Sequence, residues 1–225
     1  MKLTYFDSRG RVEPIRLMLE MTGTSYDFVA VPAELWPTAQ GKSHFEKITP
    51  FGQLPVLEHD GFVLAQSGAI RRYVASTIGL SGVSPQQDAR ADEVTETALD
   101  LTLEIGASFW RADFIERRDE YRTQARTRLD AIARYFERMR ADPTHWVCSD
   151  RYTVGDIYMA SAIEAVLGGH PGLVESFPAL DRFTRELFSS PGIAEYVRGP
   201  RRPRTWTVPL APYGGRPEET YQWLD

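Results

Sequence analysis

The amino-acid pattern changes near residue 80, and this change constrains the fold more than any other feature of the 225-residue chain. Four short strand-like runs come before it, at residues 2–6, 26–31, 54–58 and 62–65. The last two flank Asp60-Gly61, a dipeptide typical of two-residue hairpins. After residue 80 the strand signals stop, and apolar residues recur at intervals of three and four, as in amphipathic helices. The order predicts an α/β sheet domain followed by an all-helical bundle.

Helical spacing also occurs inside the predicted sheet domain. One helix is predicted before Gly23, with Pro14 in its first turn, where the missing N–H of proline costs least. Another is predicted before Gly79, and the connection between the second and third strands has room for one more. The first domain therefore has the order βαβ, a connecting segment, ββ and α.

The second half begins with two long helical patterns, around residues 94–105 and 121–139, and Asp142-Pro143 ends the second. Thr153-Val-Gly-Asp156 predicts a capping box, with Asp in the usual Glu position, and one more helix is predicted over residues 179–188. We divide the chain into a sheet domain at 1–80, a linker at 81–87, a helical domain at 88–200 and an extension at 201–225. This extension, rich in proline and aromatic residues, is called the tail below.

Composition excludes several classes of function. The single cysteine, Cys148, cannot form a disulfide within the chain or a zinc site of several thiolates, and we interpret it as a buried apolar residue. A net charge of -5 argues against nucleic acid as a partner. The sequence has neither an apolar run of membrane-span length nor a signal peptide, so we expect a cytoplasmic protein with no membrane partner. Thiol chemistry would need Cys148 or a thiol from another molecule.

The common motifs of nucleotide-binding proteins, serine hydrolases and zinc proteases are absent, and the four histidines are scattered. Polar residues do collect where the strands of the sheet domain end, which is where open α/β sheets bind ligands. The first group is Tyr5 with the following loop 8–11. The second is Pro55 at the head of a strand, a residue type that permits a cis peptide bond. The third is Gln66-Ser67 at a helix N-terminus. Taken singly, each has an ordinary structural interpretation.

Together these residues carry a resemblance to a known family. The motifs are Leu3-Thr-Tyr5-Phe, Arg9-Gly-Arg11, Trp36-Pro, Pro50-Phe-Gly-Gln-Leu-Pro55-Val-Leu and Gln66-Ser67-x-Ala69-Ile70-x-Arg72-Tyr73. They resemble cytosolic glutathione S-transferases of the tyrosine type, nearest to the sigma class, which includes glutathione-dependent prostaglandin D synthase. The resemblance is close over the sheet domain and looser beyond it. It implies a thioredoxin-like domain that binds glutathione and an all-helical domain that binds the acceptor.

The resemblance also implies roles at the reacting sulfur. Tyr5 matches the catalytic tyrosine, whose hydroxyl donates a hydrogen bond to the glutathione thiolate. Arg11 matches an arginine that adds positive potential at the same place. The backbone of Leu54, in the turn before Pro55, would pair with the cysteinyl backbone of glutathione. No metal is implied.

The two ends of glutathione are assigned in the same way. Gln66 and Ser67 would bind the γ-glutamyl carboxylate, and Asp100 from the neighbouring subunit of a homodimer would reach the γ-glutamyl amine. Gln53 would contribute to glutathione binding with Leu54, from the turn before Pro55. The glycyl end would be bound by Trp36 and a lysine. The usual lysine position holds Gln40 here, which leaves Lys42 and Lys47 as candidates.

The acceptor pocket is expected between Tyr5 and Phe6 on one side and Ile105, Phe109 and Trp110 on the other, although these apolar residues could equally belong to the core. The tail is expected to fold back as a lid or wall of this pocket.

The predicted function is conjugation of glutathione to a hydrophobic electrophile. Two alternatives stay open: an isomerase or biosynthetic enzyme that uses glutathione catalytically, and a non-catalytic binding or structural homodimer.

Overall fold

The sheet domain contains a four-stranded mixed sheet. A computed structural model describes residues 1–36, 38, 41, 45–140 and 146–221 of the chain. Within them the strands are β1 (Lys2–Phe6), β2 (Asp27–Val31), β3 (Val56–His59) and β4 (Phe62–Ala65), in the order β2-β1-β3-β4. β1 is parallel to β2, and β3 is antiparallel to both β1 and β4. The four predicted strands are confirmed, with small shifts at their ends.

Two helices flank this sheet, α1 (Glu13–Met21) and α2 (Ser67–Thr77). Pro14 lies in the first turn of α1, as predicted. The hairpin between β3 and β4 turns at Asp60 and Gly61, which have φ values of 50° and 80°. Both angles are left-handed, as the tight hairpin turn of type I′ requires. Much of the connection between β2 and β3, which has room for another helix, lies outside the described residues.

The second half is helical, with α3 (Pro85–Phe109), α4 (Arg118–Met139), α5 (Val154–Gly169), α6 (Pro178–Phe188) and α7 (Ile193–Arg198). α3 begins inside the segment 81–87 that we expected to be a linker. The Ser84 hydroxyl accepts a hydrogen bond from the Gln87 N–H at 3.3 Å, and Pro85 occupies the first helical position, so capping starts the helix early. The short helix α7 was not predicted, and Asp142-Pro143 lies outside the described residues.

Helix α5 is the centre of the helical domain, since every one of its residues is buried. Its predicted capping box is present. The Asp156 carboxylate accepts hydrogen bonds from the Thr153 N–H at 2.9 Å, the Thr153 hydroxyl at 2.8 Å and the Val147 N–H at 3.0 Å. The carboxylate thereby satisfies buried donors that precede the helix.

The two domains meet through buried charges. Glu13 of α1 and Glu164 of α5 each accept a hydrogen bond from Arg202 of the tail, both at 2.6 Å. Arg16 lies 3.2 Å from Glu13, and Arg9 lies 3.4 Å from Glu164. All five side chains are buried. The sheet domain, the helical domain and the tail therefore share one ionic cluster.

We also searched the described helices for a membrane span. None of them is both long enough and apolar enough to cross a bilayer.

Candidate active site

Tyr5 lies at the carboxyl end of β1 and is 8% exposed. Its phenolic oxygen accepts a hydrogen bond from the backbone N–H of Arg11 at 3.3 Å. Gly10 lets this loop approach the ring, because it has a φ of +43° and a Cβ there would lie 2.7 Å from the Tyr5 oxygen. Since both the conformation and the space favour glycine, the loop and the phenol form one tightly fitted unit.

The Tyr5 phenol remains protonated near neutral pH. Burial raises its pKa above the ordinary value, although the Arg11 N–H and the charges of Arg11 and Arg16 act in the opposite direction. The Tyr5 hydroxyl accepts this bond from Arg11, and it donates no hydrogen bond to any of the described residues. The O–H proton is therefore available to a ligand.

A cavity of about 590 Å³ opens in front of Tyr5. Five residues predicted from the sequence lie on its sheet-domain wall: Tyr5, Phe6, Arg11, Trp36 and Leu54. The ring of Trp36 packs against Phe6 at 5.3 Å between centroids and against Phe45 at 5.1 Å. This aromatic row gives the cavity a mainly apolar side beside the phenol.

The opposite wall comes from α3. Phe109 and Trp110 line it as expected, together with residues that we did not predict: Thr102, Leu103 and Gly106. Ile105 is not among the lining residues and takes the alternative left open for it, a place in the core. Ile105 is 4% exposed and belongs to the hydrophobic core with Ala98 and Leu101. One stripe of α3 faces the core, and a neighbouring stripe at residues 102, 106 and 110 faces the cavity. The i, i+4 spacing of these three residues is the sequence pattern that predicts a shared helix face.

The predicted glutathione-binding turn lies beside the cavity. The Leu54-Pro55 peptide bond is cis, as the sequence suggested. The Gln66 side-chain amide donates to the Gln53 side-chain oxygen at 3.1 Å, so two predicted residues meet at an exposed position. Gln66 has a φ of 72°, a strained value for a residue other than glycine. Ser67 begins α2 directly after it, which places these polar groups at a helix N-terminus.

Two further predicted binding residues, Lys47 and Asp100, are exposed. Lys47 lies in the segment before β3, and Asp100 lies on α3. Neither is on the wall of the cavity. Lys42 lies outside the described residues.

The tail forms the remaining wall, as the sequence led us to expect. Trp206, Val208 and Leu210 line the cavity. Farther along, the Tyr213 ring packs on Phe114 at 4.6 Å, and its hydroxyl donates to the Gly168 carbonyl at 3.1 Å. The tail is thus a packed part of the fold as far as Tyr221, the last described residue.

Cys148 is buried away from this cavity, in agreement with its predicted role as an apolar residue. Burial, followed by the charge of Asp156, raises the pKa of its thiol, so the reactive thiolate is disfavoured. Among the described residues, no three His, Cys, Asp or Glu side chains are grouped as a metal site. A reactive thiol at Tyr5 has to come from a ligand.

Two family models match the chain. The model for the N-terminal domain of glutathione S-transferases matches residues 1–76, and the model for the C-terminal domain matches residues 99–199. The two matches cover the sheet domain and most of the helical domain.

Named relatives agree with these matches. The chain is 32% identical to glutathione S-transferase 4 of Caenorhabditis elegans over 87% of this chain and 94% of that protein. It is 27% identical to hematopoietic prostaglandin D synthase of Gallus gallus over 91% and 97%. Among solved structures, a glutathione S-transferase of Necator americanus described as monomeric superposes with a TM-score of 0.75, at 30% identity over 87% and 95%. The resemblance found in the sequence is confirmed, and the chain belongs to the glutathione S-transferase family.

Proposed function

We propose that Tyr5 activates the thiol of glutathione and that the cavity beside it holds the hydrophobic electrophile to which the sulfur is transferred. The observation that carries this proposal is the position of the phenol. Its oxygen accepts from the Arg11 N–H, its proton has no acceptor among the described residues, and it faces a largely apolar cavity. A bound thiolate is the acceptor that this arrangement lacks.

The chemistry follows from the acidity of thiols. A free thiol has a pKa of about 8.5, so only a few per cent is ionised at neutral pH. A hydrogen bond donated by Tyr5 to the sulfur favours the thiolate, and the nearby Arg11 charge acts in the same direction. The sulfur then forms a bond to an electrophilic carbon. Either a leaving group departs with the bonding electrons, or a double bond is saturated and takes a proton from water.

Glutathione would lie along the edge formed by the turn before Pro55 and the start of α2. In this proposal Gln53, Gln66 and Ser67 bind the γ-glutamyl end, since a helix N-terminus favours a carboxylate. The backbone of Leu54 pairs with the cysteinyl part. Trp36 then contacts the glycyl end, assisted by Lys42 or Lys47.

The acceptor would be neutral or anionic and largely apolar. Phe6, Phe109 and Trp110 supply aromatic surface. Arg11 is the one charged side chain among the described residues that line the cavity. A cationic acceptor would meet this charge without a carboxylate to balance it, so we expect cationic electrophiles to be poor substrates.

Replacing Tyr5 by Phe tests the proposal. Tyr5→Phe removes one hydrogen-bond donor and little volume, and a bond to a charged group contributes about 1.5 to 3 kcal/mol. We expect the conjugation rate at neutral pH to fall roughly ten-fold or more, with its pH dependence moved to higher pH. Steady-state kinetics between pH 6 and 9 measure both effects.

Tyr73→Phe is the matched control, because the Tyr73 hydroxyl bonds to the His59 ring away from the cavity. It should keep the parent rate and pH profile. A pH–rate profile that Tyr5→Phe leaves in place would contradict the proposed role of the phenol.

A second candidate is an enzyme in which glutathione adds to the substrate and leaves again. The relative named as a prostaglandin D synthase favours it. Whether glutathione is consumed in turnover distinguishes the two candidates. In a third possibility, a non-catalytic homodimer, glutathione need not bind at all, and calorimetry would reveal this.

We also propose a cytoplasmic homodimer in which Asp100 completes the γ-glutamyl site of the partner subunit. We keep the domain division given above, except that the helical domain begins at Pro85 with α3. The exposure of Asp100 on α3 is compatible with such a role. One solved relative is described as monomeric, so the state of this chain needs its own measurement. Analytical ultracentrifugation that finds only monomers would overturn the dimer.

A further inference from the structure

The tail is bonded to the loop that follows β1. The Arg9 N–H donates to the Thr205 carbonyl at 2.7 Å, and the Gly10 N–H donates to the Trp206 carbonyl at 3.0 Å. These backbone bonds join segments from opposite ends of the chain. They hold the tail against the loop whose Gly10 is in close contact with Tyr5.

The side chain of Arg9 strengthens this connection. It is 0% exposed, and its Nε donates to the Pro203 carbonyl at 3.1 Å. One terminal nitrogen donates to the Tyr221 carbonyl at 2.9 Å and lies 3.4 Å from Glu164. Arg9 therefore binds the tail near both ends of its described part and also contacts the helical domain.

Neighbouring amides of one loop connect the tail to the phenol. The Gly10 N–H bonds to the Trp206 carbonyl, while the next N–H, that of Arg11, bonds to the Tyr5 oxygen. The two donors are separated by a single residue step. Because the Gly10 backbone is already in close contact with the phenol, a shift of the loop would alter the bond from Arg11 to Tyr5.

We propose that the tail is a positioning element for Tyr5, and that Arg9 is the positioning residue through which it acts. This inference rests on the proposed role of Tyr5 in activating glutathione. The tail carbonyls hold the loop so that the Arg11 N–H stays on the phenolic oxygen. A phenol whose oxygen accepts a hydrogen bond is a stronger donor through its own O–H. The tail therefore raises the thiolate fraction of bound glutathione, in addition to forming a wall for the acceptor.

Arg9→Lys is the main test. Lysine keeps a positive charge opposite Glu164 but cannot reproduce the forked set of donors that reaches both Pro203 and Tyr221. We expect the pKa of the glutathione thiol in the complex to rise by about half a unit, which is about a three-fold change in the ionisation constant. The thiolate absorbance of the protein–glutathione complex, titrated with pH, measures this directly.

A second variant ends the chain after Pro203. It retains Arg202 and its two buried carboxylate partners but removes the Thr205, Trp206 and Tyr221 carbonyls. We expect a shift of the thiol titration in the same direction and at least as large. Circular dichroism and thermal unfolding check that this variant folds. If it does not, the result for Arg9→Lys decides alone.

Leu210→Ala is the control within the tail. Leu210 is exposed and lines the cavity. It should change the KM for the acceptor and leave the thiol titration in place. If Arg9→Lys behaves like this control, or loses only thermal stability, the tail is merely a wall or a structural support and our inference is wrong.

Tyr5→Phe separates this outcome from a failure of the proposed function. If Tyr5→Phe raises the thiol pKa and Arg9→Lys does not, the positioning role is overturned while the proposed function stands. If neither variant moves the titration, the thiol is not activated by Tyr5, and both proposals fail.

Discussion

His170 is enclosed at the end of α5. It is 0% exposed, and neither ring nitrogen has a hydrogen-bond partner among the described residues. Its ring lies 5.9 Å from that of Phe114. Burial, and then the charges of Arg118 and Arg122, lower its pKa from 6.5 to about 4. The folded protein therefore holds this imidazole neutral at pH values where the unfolded chain protonates it.

This residue predicts a loss of stability in acid. Between about pH 6.5 and pH 4 the unfolded state binds more protons at His170 than the folded state, so the free energy of unfolding falls as the pH falls. A difference of 2 to 3 pH units corresponds to about 3 kcal/mol. Urea unfolding at several pH values should show that His170→Gln loses this part of the slope.

Tyr121→Phe is the control for this series. Tyr121 stacks on the same Phe114 at 5.7 Å between ring centroids, and its substitution leaves the His170 imidazole in place. It should keep the parental pH dependence. A His170→Gln variant with the same slope as the parent would contradict the assignment.

The residues on the sheet-domain wall of the cavity could be predicted from the sequence, because each belongs to a local motif. Tyr5, Arg11, Trp36 and Leu54 all line the cavity. The choice between pocket and core stayed open for Ile105, because a helical pattern shows which residues are apolar but does not show which of two adjacent stripes meets a cavity. That choice depends on how α3 packs against α5.

At the scale of elements, α5 depends on the group at its N-terminus. The Asp156 carboxylate serves three donors, two on Thr153 and one on Val147. These donors are buried, so water cannot replace the carboxylate. The cap links the loop before α5 to its first turn.

We expect Asp156→Ala to lower the free energy of unfolding by about 3 kcal/mol, since a lost cap and unsatisfied buried donors both contribute. Asp150→Ala removes an exposed acid from the same loop and should change it by less than about 0.5 kcal/mol. Chemical denaturation of both variants compares them. Equal effects would show that the cap has no special importance.

Helix ends and hairpins could be predicted wherever the deciding residues are adjacent in sequence. Asp60-Gly61 and the Thr153–Asp156 box are of this kind. The path of the tail could be anticipated only as a hypothesis. Its aromatic residues indicated burial, but the carbonyls that bind Arg9 and Gly10 come from the opposite end of the chain, and no local pattern encodes such a pairing.

At the scale of the whole molecule, the buried ionic cluster joins the two domains. Arg202 is in contact with Glu13 of the sheet domain and Glu164 of the helical domain. Charges removed from water are tolerated when they are paired and hydrogen-bonded. Loss of the Arg202 charge would leave the buried carboxylates of Glu13 and Glu164 without this positive charge.

Arg202→Met should therefore lower the free energy of unfolding by about 3 to 5 kcal/mol. The adjacent Arg201 is a matched control, because its side chain is 63% exposed although it also pairs with a carboxylate, that of Glu20. Arg201→Met should cost about 1 kcal/mol or less. Thermal and urea unfolding of the two variants measure the difference, and similar losses would contradict a structural role for the buried cluster.

The bonds from Arg9 to Pro203 and Tyr221 have a consequence for the order of events in the cell. Chains are synthesised from the N-terminus, and domains generally fold as they emerge. β1 and its loop leave the ribosome early, whereas their partners in the tail follow 194 and 212 residues later. A nascent chain can thus have a complete sheet while the loop beside Tyr5 still lacks its final support. On this account, prematurely terminated chains would retain the Tyr5 phenol but would ionise glutathione poorly.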